Sequence, residues 1–96
     1  MAARKIRTLL TITHAGMVVT ATLKYGTHLN WHVLVEKPLE IWHCDWTTHT
    51  RTTDLSGTTN ASGQLSTTVS FSGEIYTTFT GDTEYHQSAA YVDVTM

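Results

Sequence analysis

The chain has 96 residues, 41% of them hydrophobic, and a formal net charge of −2, which is the size of one compact domain with a single core. A domain this short buries only about 60–65% of the surface its unfolded chain exposes, so little apolar material is left to line a deep cavity, and the acidic balance argues against nucleic acid as a partner. No stretch is long or apolar enough for a membrane-spanning helix, no apolar run and cleavage site follow the basic start as a secretory signal requires, and the lone Cys44 cannot form an internal disulfide.

Twenty threonines against two phenylalanines and one proline favour extended backbone, because a β-branched side chain is stiff in a helix and packs well on a pleated surface. Two-residue alternation carries the rest. Leu10 and Ile12 alternate with Thr11 and Thr13; after the break at His14-Ala15-Gly16, Val19, Ala21, Leu23 and Tyr25 alternate with Val18, Thr20, Thr22 and Lys24. This predicts a strand pair. A further β-rich run covers Trp31 to Val35, and Pro38 sets the start of a strand over Leu39 to Trp46. Residues 47–63 are the most polar stretch, with a weak strand around Thr48 to Thr53 and a tight turn before Gln64. Leu65, Thr67, Val69 and Phe71 share one face of the next strand, Ser72-Gly73 turns it, Ile75 to Thr80 returns, and Gly81-Asp82 turns again. The last strand spans Ser88 to Met96, with Ala90, Val92 and Val94 on one face and Tyr91 and Asp93 on the other. No window of eleven or more residues has helical spacing. The expected fold is all-β: an immunoglobulin-like β-sandwich of about seven antiparallel strands, with residues 1–96 as one domain and 1–7 as a basic arm; a small barrel is the alternative that periodicity leaves open.

The second half resembles bacterial and phage immunoglobulin-like (Big-type) repeats. The resemblance rests on Thr58-Thr59-Asn60-Ala61-Ser62-Gly63-Gln64-Leu65-Ser66-Thr67, on Gly73-Glu74-Ile75-Tyr76-Thr77 and on Gly81-Asp82-Thr83-Glu84-Tyr85-His86-Gln87-Ser88-Ala89-Ala90, and it covers residues 58–94. Residues 1–57 share only the strand rhythm, and the run from Trp31 to Trp46, with three tryptophans, departs from the pattern. The resemblance implies a scaffold without a shared enzymatic activity. At the matching positions, Asn60 and Gly63 are expected to take positive φ in a hairpin connection, Tyr76 to be a core ring, and Tyr85 to be a lid over one edge of the sandwich.

Chemistry-bearing residues give no convergent pattern. On a strand, adjacent His43 and Cys44 point to opposite faces and cannot share one ion without a bulge. His28 and His32 are spaced for a helix but lie in an extended run, and His14, His49 and His86 are scattered. No metal site, no cofactor and no catalytic residue is expected: there is no nucleophile elbow or phosphate loop, and Cys44 reads as a buried or interface thiol. Asn60-Ala61-Ser62 matches a glycosylation acceptor but reads as a turn.

Leu39 and Ile41 share one face with His43, whereas Trp42, Cys44 and Trp46 share the other with Glu40, so one apolar face of this strand is left over. Either it is a Trp-bearing interface, or Trp42 is the core tryptophan and Trp46 begins a loop. Residues 1–51 carry all six Lys and Arg with three acids, and residues 52–96 carry five acids, a division of +3 against −5 that suits head-to-tail contact between copies. The expected interface residues are Arg4, Lys5, Arg7, Trp31, Trp42 and Trp46. The expected function is a non-enzymatic accessory protein of a phage virion, made in the host cytoplasm without a secretion signal. It would decorate a capsid or associate with a tail in many copies, stabilising the particle or adhering weakly to host-surface glycans or proteins. Its partners would be virion structural proteins, with no nucleic acid and no membrane insertion. The alternatives are a stand-alone carbohydrate- or protein-binding module, in which Trp31, Trp42 or Trp46 would stack on a sugar ring, and a domain of a bacterial surface adhesin.

Overall fold

The computed structural model describes residues 5–27 and 29–95. Arg4, part of the expected arm, His28 and Met96 lie outside the described residues. Eight strands and no helix form among the described residues: β1 (Thr8–Ala15), β2 (Val18–Thr27), β3 (Asn30–Val33), β4 (Pro38–Asp45), β5 (Thr50–Thr58), β6 (Gln64–Thr68), β7 (Gly73–Phe79) and β8 (Ser88–Val94). The expected all-β sandwich is what these residues build, with eight strands in place of about seven. One sheet holds β1, β2, β3 and β6, and the other has the order β5-β4-β7-β8.

Pairing is antiparallel throughout both sheets. The ten-residue β2 is long enough to serve two partners on one edge: Val18 to Thr22 pair with β6, and Lys24 to Thr27 pair with β3. The chain crosses between sheets after β3, after β5 and after β6, as connections in immunoglobulin-like sandwiches do. Those crossings correct two readings. Residues 59–63 link β5 to β6 and residues 69–72 link β6 to β7, so both are arches between sheets and neither closes a hairpin. Asn60 therefore acts through its side chain and not through positive φ. Its Oδ1 accepts from the backbone N–H of Ser62 at 2.8 Å and of Gln64 at 3.1 Å, while Gly63 takes φ +72°. A Cβ there would meet the Leu23 carbonyl oxygen and Val33 Cβ at 2.9 Å.

The core lies between the sheets. Leu10, Ile12, Val19, Ala21, Leu23 and Val69 face Leu39, Ile41, Ile75, Phe79 and Val94, all buried. The alternate positions of β1, β2 and β6 face outward as a mixed surface, in which Thr11, Thr13, Thr20 and Ser66, with Thr20 and Ser66 hydroxyls 2.8 Å apart, lie among the exposed Leu9 and Val18. Water can satisfy the hydroxyls of that face while the alternate positions supply the aliphatic layer. Thr77 is the exception: it sits fully buried on the core face of β7, and its hydroxyl has no hydrogen-bond partner among the described residues.

The end of the sandwich where β8 starts is closed by the segment after β7. Asp82 Oδ1 accepts from the backbone N–H of Glu84 at 2.8 Å and of Tyr85 at 2.9 Å, and Lys37 Nζ donates to Asp82 Oδ2 at 2.8 Å. Lys37 also lies 5.0 Å from the centre of the buried Tyr85 ring. Ile6 bridges Tyr85 in parallel, donating to Glu84 O at 2.8 Å and accepting from His86 N at 2.9 Å. Tyr85 packs edge-on against Tyr25 at 5.8 Å, and so covers this end of the core as expected of a lid.

Two measurements check these features. Because the Lys37 hydrogen bond and the two backbone N–H groups hold the Asp82 carboxyl down at about 2, its contribution to stability is full above the unfolded carboxylate value and is lost as pH falls toward 2. Thermal melts from pH 5 to pH 2 should therefore show a smaller acid-side loss for Asp82→Asn than for the parent chain, from a lower starting point. Separately, Thr77→Val should raise stability by ~1–3 kcal/mol in urea unfolding, since it removes an unsatisfied buried hydroxyl while keeping the shape, whereas Phe79→Ala should lower it by ~3–5 kcal/mol.

Candidate interaction surface

Because Leu39 and Ile41 enter the core, strand periodicity sends Glu40, Trp42 and Cys44 to the outer face of β5-β4-β7-β8. On β7, Ile75, Thr77 and Phe79 are buried, so Tyr76 is also outward. The expectation that Tyr76 is a core ring is therefore corrected by its own strand period. Register then sets these residues side by side, with Trp42 opposite Tyr76 and Tyr76 opposite Tyr91. Three aromatic side chains from three adjacent strands form one row across the sheet.

The row is built from ring stacking. Trp42 and Tyr76 lie 4.5 Å apart with planes 16° from parallel, close to the spacing between neighbouring strands. Tyr76 and Tyr91 are 5.8 Å apart and tilted by 39°. On the other side of Trp42, the Arg51 guanidinium sits 4.1 Å from the ring centre. Arg51 and Tyr76 come from strands on opposite sides of β4, so the two indole faces are both covered. Trp42 is thus neither a core tryptophan nor a ring open to a sugar, and its Nε1 is buried without a hydrogen-bond partner among the described residues. Burial, followed by the 3.1 Å hydrogen bond that Tyr76 donates to Glu74 Oε2, raises the Tyr76 phenol above its ordinary value.

A β-bulge makes the Arg51 contact possible. Ile41 pairs with Leu55 and Trp42 with Thr53, leaving Asp54 as the extra residue on β5. One inserted residue reverses the facing of everything beyond it, so Arg51 and Thr53 join the outer face while Leu55 joins the inner one. Arg51 Nη2 donates to Glu40 Oε1 at 2.7 Å and Thr53 Oγ1 donates to the same oxygen at 2.9 Å. Being largely exposed, this ion pair adds little stability, but it fixes the guanidinium over the indole. Asp54 itself turns toward His43, whose Nδ1 lies 2.8 Å from Asp54 Oδ2 and whose ring stacks on Phe71 at 4.1 Å.

Beside the row, Glu40, Arg51, Thr78, Thr80, Gln87 and Ser88 border an open hollow of about 500 Å³. Tyr91 ends the row on the edge strand β8 and is 60% exposed. Asp93 follows on the same face of β8, opposite Glu74. Cys44 is a buried free thiol on this face, opposite Arg51.

The six expected interface residues do not meet at one place. Trp42 is inside the row, and Trp46 stands in the turn after β4, 60% exposed; that turn is held by Asp45 Oδ1, which accepts from Thr47 N at 2.9 Å. Trp31 belongs to the other sheet, opposite Gly26 on β2. Lys5 and Arg7 are exposed at the end where β1 begins, and Arg4 lies outside the described residues. The histidines are equally dispersed. His32 packs on Tyr25 at 5.4 Å, His14 is 3.2 Å from Gly16 O, and among the described residues no three His, Cys, Asp or Glu side chains group where they could hold a metal. Sequence reasoning missed Arg51, Tyr76 and Tyr91. The period that sets Tyr91 on the face opposite Val92 and Val94 was readable, but the cross-strand register and the bulge were not.

Compared with known protein families, curated proteins and solved structures, the chain matches none.

Replacing Arg51 by Ala should uncover one face of Trp42. We expect a red-shifted Trp emission component and easier iodide quenching than in the parent chain, with stability lowered by no more than ~1 kcal/mol. Arg51→Lys should not restore the parent spectrum, because an ammonium lacks the planar group that lies over the ring.

Proposed function

We propose that this chain is a non-enzymatic interaction domain that serves as an accessory protein of a phage virion, attached to capsid or tail in many copies, and that the outer face of β5-β4-β7-β8 is its contact surface. The observation that carries this reading is the continuous aromatic row on that face. The other outer face mixes threonine and serine hydroxyls with separate apolar side chains such as Leu9, Val18 and Val33; this one carries Trp42, Tyr76 and Tyr91 side by side with Arg51 on the row. Aromatic and arginine side chains in a polar surround supply much of the energy at protein interfaces. The resemblance of residues 58–94 to phage and bacterial immunoglobulin-like repeats supports the virion setting, with β6, β7 and β8 as the strands that bear it.

A second reading, glycan binding, is favoured by the hollow beside the row. Glu40, Arg51 and Gln87 are planar hydrogen-bonding groups, and Thr78, Thr80 and Ser88 add hydroxyls. Its volume of about 500 Å³ is within the range of small-molecule sites.

The test is to purify native particles and measure the chain in them. The reading expects a stoichiometric number of copies that stay with the particle through sedimentation, and release when Trp42 and Tyr91 are both replaced by Ala. A chain found only free in solution sinks it. If particles lack the chain while a Gln87→Ala change abolishes binding on a glycan array, the glycan reading replaces it.

A further inference from the structure

Tyr91 is the unfinished end of a repeat. Across the sheet the order is Arg51, Trp42, Tyr76, Tyr91, with each ring packed against its neighbour. The first ring has a cation on its outer side. The last, on the edge strand, has only Tyr76 on one side and is 60% exposed.

The groups around Tyr91 are acidic. Asp93 lies two residues further along the same face of β8, and Glu74 is its register partner on β7. Like charges directly opposite each other on a sheet face are unfavourable. Glu74 accepts the Tyr76 hydroxyl, and neither acid has an ion pair with a described residue. An aromatic ring beside two carboxylates fits a guanidinium or ammonium group, which gains from the ring quadrupole and from the charge together.

The chain carries such groups, but at the wrong end to fill its own site. Lys5 and Arg7 are exposed just before β1. Thr8 Oγ1 bonds the Ser88 hydroxyl at 3.0 Å, so this segment lies at the start of β8. Asp93 is five residues further along that strand, about 16 Å away at the rise of an extended chain. The separation holds for these two clusters alone: Asp82 and Glu84 lie beside the Lys5–Arg7 segment, with Asp82 paired to Lys37.

We infer that the Tyr91, Asp93 and Glu74 corner binds the basic Lys5–Arg7 segment of a second copy of this chain. Because the two surfaces differ, the contact is head-to-tail, and successive copies build a ring or an open filament according to the rotation between them. The inference rests on the reading of this outer face as a contact surface and names the partner it takes.

Sedimentation velocity of the purified full chain over a concentration series, in low and high salt, tests it. The expected result is concentration-dependent association that high salt weakens, since the contact is between exposed charges. Tyr91→Ala should weaken it about two- to fivefold. Lys5→Glu with Arg7→Glu should abolish it, as should Glu74→Lys with Asp93→Lys, and mixing these two reversed chains should restore association between them. A parent chain that stays monomeric at every concentration overturns the inference, as does association that survives both reversals. Particle attachment is read separately: a chain monomeric alone but retained on purified particles ends this inference and leaves the virion reading standing. Association without particle attachment does the opposite.

Discussion

Alternation along β4 constrains everything else on the second sheet. Successive side chains of a strand leave on opposite sides, and a domain of 96 residues has material for one core. Leu39 and Ile41 take the core side, where both are almost fully buried. Trp42 and Cys44 then have to face outward, and the largest side chain on the strand must find cover without a second layer. The cover comes from neighbours within the sheet. Tyr76 supplies one face and Arg51 the other, so the indole is enclosed by strands and not by a core.

That solution depends on an irregularity. A regular β5 could not keep both Leu55 under the sheet and Arg51 over it, because the two are four residues apart and would share a face. The bulge at Asp54 separates them. It also leaves an acid to dispose of, and Asp54 is disposed of by His43, held in turn against Phe71 from the arch between β6 and β7. One inserted residue thus sets the cation on Trp42, keeps Leu55 packed against the core and links β5 through His43 of β4 to the arch between β6 and β7.

The two ends of the sandwich are built for different tasks. At one, Lys37, Asp82, Tyr85 and Ile6 lock the β7–β8 connection onto the segment that precedes β1, with a charged hydrogen bond, two Asp-to-backbone bonds and a short parallel bridge. Lys5 and Arg7 stay exposed beside this closure. Toward the other end, Tyr91, Asp93 and Trp46 remain exposed, and the aromatic row stops at an open sheet edge. The aromatic part of the contact surface belongs with the second set, while the closed end presents the exposed Lys5 and Arg7.

What could be read from residue order is what depends on a period of two: the strands of β1, β2, β4, β7 and β8, the placing of Tyr91 and Asp93 on the face opposite Ala90, Val92 and Val94, and the alternation of threonines with aliphatic residues along β1 and β2. It also marked Gly63 and the Gly81-Asp82 segment as places where the backbone must turn, since only small or side-chain-bonding residues allow it. Only the tertiary structure decided which strands are neighbours. Arches and hairpins use the same turn residues, so Asn60 to Gly63 and Ser72-Gly73 read alike whether the chain folds back or crosses to the other sheet. It also decided the core side of β4, the bulge at Asp54 and the row from Arg51 to Tyr91. Those depend on register between strands far apart in the chain, which needs the hydrophobic patterns of both partners to be matched and the connections between them to be known.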